Sequence, residues 1–132
     1  MIKTKVQDIL HKETSESVKE LLESIPDLYI ENKLEDRLAE VGLNQKQFSQ
    51  LTGLRHGTIS EFVNGKKIMI NKYQLLTMLV ALRITDIRDL IDVHFPEEIK
   101  TKFNEERKEW VENREYSIPE DMKEHFLKSL LK

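Results

Sequence analysis

The run from Leu43 to Lys67 constrains the fold more than any other part of the chain. Two short segments, about 44–52 and 56–63, are separated by Gly53, and Asn64-Gly65 closes the pair. Asn44 suits an N-cap, because its side-chain oxygen can accept from the free N–H groups of a first helical turn. Glycine suits the position just past a last turn. Phe48, Leu51, Leu54, Ile59 and Phe62 are spaced so that two such helices can meet in one core. His56, Gly57, Ser60 and Glu61 are then left on the outer face of the second helix, on adjacent turns. A helix presenting small and polar groups fits a DNA major groove about 12 Å wide.

The rest of the chain reads as helical too. Among 132 residues there are only 4 glycines and 3 prolines, which disfavours a turn-rich β protein. Each proline is followed by an acid, at Pro26-Asp27, Pro96-Glu97 and Pro119-Glu120. A proline opening a helix and an acid in its first turn both suit the N-terminal end, so all three are expected helix starts. An amphipathic segment is expected over about 3–24, with Glu13 to Glu16 as a possible break. A helix over about 27–41 carries Leu28, Ile30, Leu34, Leu38 and Val41, and Gly42 ends it. Asn71 caps a helix with Leu75, Leu76, Met78, Leu79 and Leu82. Thr85 caps a shorter one with Ile87, Leu90 and Ile91. Lys67 to Ile70 is read as a loop. Beyond residue 95 a highly charged stretch leads to a last helix over about 119–131.

Charge is distributed unevenly. The net charge is −3, yet residues 43–73 hold five basic side chains, Lys46, Arg55, Lys66, Lys67 and Lys72, against Glu61 alone. Such a patch attracts phosphates even on an acidic chain, because charges beyond a Debye length of about 8–10 Å are screened. The absence of cysteine excludes disulfides and Cys-based metal sites and fits a cytoplasmic protein. The N-terminus is too polar for a signal peptide, and no apolar run approaches the roughly 20 residues of a membrane span. His11, His94 and His125 have no metal-ligand spacing. Glu97-Glu98 and Glu105-Glu106 read as a solvated helix face. No catalytic constellation is found, so neither an enzyme, a cofactor nor a metal is expected.

The central stretch resembles the helix-turn-helix of lambda-like phage repressors and their Xre/Cro-like relatives. Leu43, Gln45, Phe48, Leu51, Gly53, Leu54, Thr58, Ile59, Phe62, Asn64 and Gly65 carry the resemblance, in that family's order and spacing. The segments 75–82 and 87–91 resemble its fourth and fifth helices. The resemblance covers roughly residues 28–93. It implies an all-α fold: a five-helix lambda-repressor-like core at 27–94, an N-terminal helical extension at 1–26 and a C-terminal one at 95–132.

The resemblance also implies roles. Gln45 would contact a phosphate or brace the recognition helix, with Lys46 beside it. His56, Gly57, Thr58, Ser60 and Glu61 would meet base edges or adjoining phosphates. Arg55, Lys66 and Lys67 would grip the DNA backbone. Arg55 departs from the small polar N-cap usual in the family, Gly57 weakens the helix, and Glu61 has the wrong sign for phosphate. The four-spaced apolar stripe Ile118, Met122, Phe126 and Leu130 on the last helix fits either packing within its own domain or a dimer or partner interface. The expected function is sequence-specific transcriptional regulation on double-stranded DNA, as a homodimer of phage or mobile-element type. The alternative is a helix-turn-helix scaffold acting through a regulatory protein partner.

Overall fold

In the computed structural model, residues 2–5, 15–65 and 70–131 are described. The chain is mostly helical, with a small three-stranded sheet. It divides into two compact units, one built from residues 1–5 and 29–94, the other from 6–28 and 95–132.

The first unit contains strand β1 (Ile2–Lys5), strand β2 (Tyr29–Asn32), helices α2 (Leu34–Glu40), α3 (Gln45–Thr52), α4 (His56–Val63) and α5 (Lys72–Leu82), a 3-10 turn (Ile87–Asp89) and strand β3 (Ile91–His94). Helix α1 (Glu16–Ser24) belongs to the second unit. The sheet is antiparallel with β2 at its centre. Ile2, Asn32 and Ile91 form one row, and Lys5, Tyr29 and His94 the row at the opposite end.

Cross-strand partners share a face and alternate along each strand. One face presents Ile2, Asn32 and Ile91, and both isoleucines pack onto the helical core. That core is centred on Leu34, Phe48, Ile59, Val63, Met78 and Leu90, all fully buried. The other face carries Lys3, Lys5, Tyr29, Glu31, Asp92 and His94.

The sheet corrects the all-helical expectation at three places. Lys3 to Lys5, expected in an N-terminal helix, lie in β1, and among the described residues of that region α1 is helical; residues 6–14 lie outside those described. The expected helix over 27–41 is a strand followed by a short helix. Leu28, Ile30 and Leu34 have helical spacing, but the chain changes state at Lys33 (φ −108°, ψ 8°). The expected helix capped by Thr85 is instead the 3-10 turn, capped by Asp86, and then β3. Ile91 and Val93 alternate with Asp92 and His94, a period of two that suits a strand. Pro26 lies in the turn after α1 and starts no helix, whereas Pro96 and Pro119 directly precede helices.

Two backbone devices fix the ends of α2 and α4. Gly42 (φ +74°) donates to the Ala39 carbonyl at 3.1 Å, and Leu43 donates to the Leu38 carbonyl at 2.9 Å. This paired closure satisfies two of the last carbonyls of α2. Gly65 (φ +70°) follows α4, and a Cβ there would stand 2.5 Å from the Thr4 hydroxyl of β1. Gly65→Ala is therefore expected to cost about 1–2 kcal/mol from left-handed backbone alone, with the displaced Thr4 adding to it. A urea melt of wild type and variant checks this.

The second unit contains α1, α6 (Glu97–Asn113) and α7 (Glu120–Ser129). Among its described residues Ile25 and Leu28 are buried and apolar, packed with Leu22, Ile99 and Phe103. Among the described residues no helix is long and apolar enough to cross a membrane.

Candidate nucleic-acid interface

Helices α3 and α4 form two short helices joined by a three-residue turn. Asn44 Oδ1 accepts from Gln47 N at 2.8 Å, while Asn44 N donates to Gln47 Oε1 at 2.9 Å. This reciprocal box satisfies two donors at the start of α3. Gly53 (φ +79°) ends α3, where a side chain would be strained, and its N–H donates to the Ser49 carbonyl. Two hydroxyls lock the turn. Ser49 Oγ donates to the Leu54 carbonyl at 2.5 Å, and Thr52 Oγ1 donates to the Phe48 carbonyl and accepts from Leu54 N at 3.2 Å.

The angle at which α4 leaves this turn is fixed by its buried side. Thr58, Ile59, Phe62 and Val63 are buried, and Ile59 and Val63 are fully so. Helix α4 is also tethered from the sheet: Asn32 Nδ2 donates to the Phe62 carbonyl at 2.9 Å. The opposite side presents exposed His56, Gly57 and Glu61, with Ser60 half-buried and Arg55 exposed at the N-cap. A Cβ built on Gly57 meets no atom within 4 Å.

Of the residues expected at the interface, the structure leaves Lys46, Arg55, His56, Gly57 and Glu61 exposed and places others differently. Thr58 is only 7% exposed, so it belongs to the core and not to the outward face. It lies four residues before Phe62, on the same buried stripe. Leu51, expected in the core, is 62% exposed in the last turn of α3. Gln45 is held by α2, donating from Nε2 to Glu35 Oε1 at 3.0 Å, so it braces α3 against α2. Lys46 is exposed. Lys66 and Lys67 lie outside the described residues. Among the described residues no hydrogen bond or ion pair engages the side chains of Lys46, Arg55, His56 or Glu61, which leaves them available to a partner.

Sequence reasoning missed Asn32, which fixes α4 from thirty residues away. A lone asparagine gives no periodic signal. The stripe Ile118, Met122, Phe126 and Leu130 is divided in the second unit. The first three line an apolar groove of about 790 Å³ together with Val18, Trp110 and Val111, while Leu130 is 63% exposed. Comparison with known proteins returned no match: no family model, no curated protein and no solved structure is similar to this chain.

Proposed function

We propose that this protein binds double-stranded DNA sequence-selectively, with α4 as a recognition helix in the major groove, and acts as a transcriptional regulator of the phage-repressor helix-turn-helix type. The observation that supports this best is the division of α4. One side is anchored by buried Thr58, Ile59, Phe62 and Val63, and the other offers unpartnered His56, Gly57 and Glu61 beside Arg55. A short helix held rigidly from behind, with small and hydrogen-bonding groups in front, suits base-edge contact. Arg55 and Lys46 would contact phosphates and position the helix, while His56 and Glu61 would discriminate bases. Two copies related by a two-fold axis would read half-sites about 34 Å apart.

Selection of bound duplexes from a random-sequence pool, by titration at low and physiological salt, tests this. A palindromic consensus is expected. Arg55→Ala and Lys46→Ala should each lower the salt slope of binding by about 1 and weaken all sequences alike. His56→Ala and Glu61→Gln should change the consensus at one position, by about 1–3 kcal/mol at that base pair. An absence of binding even at low salt would overturn the reading.

Two observations favour a second reading, a protein-binding scaffold. Around the outward face the described cations Lys46 and Arg55 are matched by Glu61, Glu35 and Asp36. Tyr73, Leu76 and Val80 also leave one side of α5 apolar and exposed. Such a surface suits a protein contact more than a phosphate backbone.

A further inference from the structure

The polar face of the sheet brings together three side chains that no sequence motif connects. Glu31 on β2 and Asp92 on β3 are register partners, and His94 lies two residues beyond Asp92 on the same face. His94 Nε2 is 3.0 Å from Glu31 Oε1 and 3.7 Å from Asp92 Oδ2. All three ligand atoms lie within 4.8 Å of one another. We propose that Glu31, Asp92 and His94 form a zinc-type divalent cation site that staples β2 to β3.

Ligand geometry supports the assignment. Zinc takes imidazole nitrogen and carboxylate oxygen at about 2.0–2.2 Å in tetrahedral sites, which sets ligand atoms about 3.4 Å apart. The separations of His94 Nε2 from the two carboxylates, 3.0 and 3.7 Å, bracket that value. Small side-chain movements would therefore bring all three atoms to bonding distance of one ion. The exposure of His94 and Asp92, with side chains 38% and 29% accessible, leaves a fourth position for water.

His94 and Asp92 are also oriented from outside the cluster, as metal ligands generally are. The His94 ring stacks on Tyr29, centroids 4.7 Å apart and planes within 19°, which aims its edge at the two carboxylates. Lys3 Nζ lies over the Tyr29 ring at 4.5 Å. Asp92 Oδ1 accepts from Val93 N at 3.0 Å, so Oδ2 is the oxygen turned towards the imidazole. Glu31 is buried, and its Oε1 faces His94 Nε2 across the strand pair.

One neighbour opposes the cation. Lys33 Nζ stands 3.6 Å from Glu31 Oε1 and competes for the same oxygen. Removing that charge should therefore tighten binding. An ion-pair network whose only role is to hold the strands would give no zinc response in any variant.

The test is calorimetric titration of ZnCl2 into the full chain after dialysis against EDTA. One equivalent is expected to bind, and the ion should raise the melting temperature, since it binds the folded state alone. Asp92→Asn and His94→Gln should weaken binding at least about 100-fold. Asp92→Asn changes a partly exposed side chain, and a circular dichroism melt without metal establishes that it folds. Lys33→Gln should tighten binding several-fold. A triple variant replacing His11, His56 and His125 by Gln should bind zinc as wild type does. No saturable binding, binding that survives His94→Gln, or binding weakened by Lys33→Gln would each overturn the proposal.

Discussion

Replacing Gly57 by Glu is expected to abolish selective DNA binding while leaving the fold at least as stable as wild type. The two effects have separate physical causes. Gly57 lies in the first turn of α4 with ordinary helical backbone, and a Cβ there meets no atom within 4 Å. Glycine inside a helix costs about 0.8–1 kcal/mol relative to alanine. A carboxylate in the first turn adds about 0.3–1 kcal/mol by complementing the helix dipole. Stability should therefore rise by about 1 kcal/mol, and the melting temperature by a few degrees. On the proposed DNA-binding surface the same carboxylate would project where a base edge approaches and would face the phosphates with the wrong sign. Affinity for a selected operator should fall about 100-fold or more, on the scale of one or two lost base contacts of about 1–3 kcal/mol each. Gly57→Ala separates shape from charge, since it gains the helix propensity and adds only a methyl group. A thermal melt and a fluorescence titration on each variant check both signs. A Gly57→Glu protein that binds the operator as tightly as wild type would show that α4 is not the element in the groove.

How much of this was readable from the chain depended on the range of the interactions involved. The pair α3–α4 was visible because its determinants are local. Asn44 and Gln47 form their box three residues apart, Gly53 takes its positive φ at the turn, and Phe48, Ile59 and Phe62 have the spacing of a shared buried side. The strands were not visible, because each has only four residues and finds its partner far along the chain: Ile2 opposite Asn32, and Asn32 opposite Ile91. Ile30 and Leu34 satisfied a helical period by coincidence of spacing. For β3, the alternation Ile91-Asp92-Val93-His94 was present but short enough for the helix-like spacing of Ile87, Leu90 and Ile91 to mask it. Thr58 was expected at the DNA, although counting places it with 59, 62 and 63 on one side of a helix, the side that is buried. The Glu31–Asp92–His94 cluster could not be read from spacing, because pairing of β2 with β3 creates it. His94 by itself is two residues from one carboxylate and 63 from the other.

Asn32 shows the same dependence on distant pairing, and its removal is expected to be the most damaging single polar substitution in the first unit. The residue is only 9% exposed. Its Nδ2 donates to the Phe62 carbonyl at 2.9 Å, and its Oδ1 accepts from Leu34 N at 3.0 Å. One amide thus serves a donor at the start of α2 and an acceptor in the last turn of α4. After Asn32→Ala, the Phe62 carbonyl keeps a longer bond from Gly65 N at 3.3 Å, while the Leu34 N–H, at the first position of α2, loses its side-chain acceptor. A buried group left unsatisfied costs about 1–3 kcal/mol and the lost bond to Phe62 about 1 kcal/mol more, so the substitution should cost about 2–4 kcal/mol. For a unit of this size that lowers the melting temperature by at least about 10 °C. Asn32→Asp isolates the donor half. The carboxylate still accepts from Leu34 N but cannot donate to Phe62, and it brings a negative charge against a carbonyl oxygen. Burial and that repulsion raise the carboxyl pKa of the folded variant above its unfolded value. The folded state then binds the proton more tightly, so the stability deficit of Asn32→Asp should shrink as pH falls through the raised pKa, when the protonated acid can donate to Phe62. Urea melts of wild type and both variants between neutral and mildly acid pH check this. A deficit for Asn32→Asp that stays constant or widens towards acid pH would show that the bond to Phe62 does not hold α4 to the sheet.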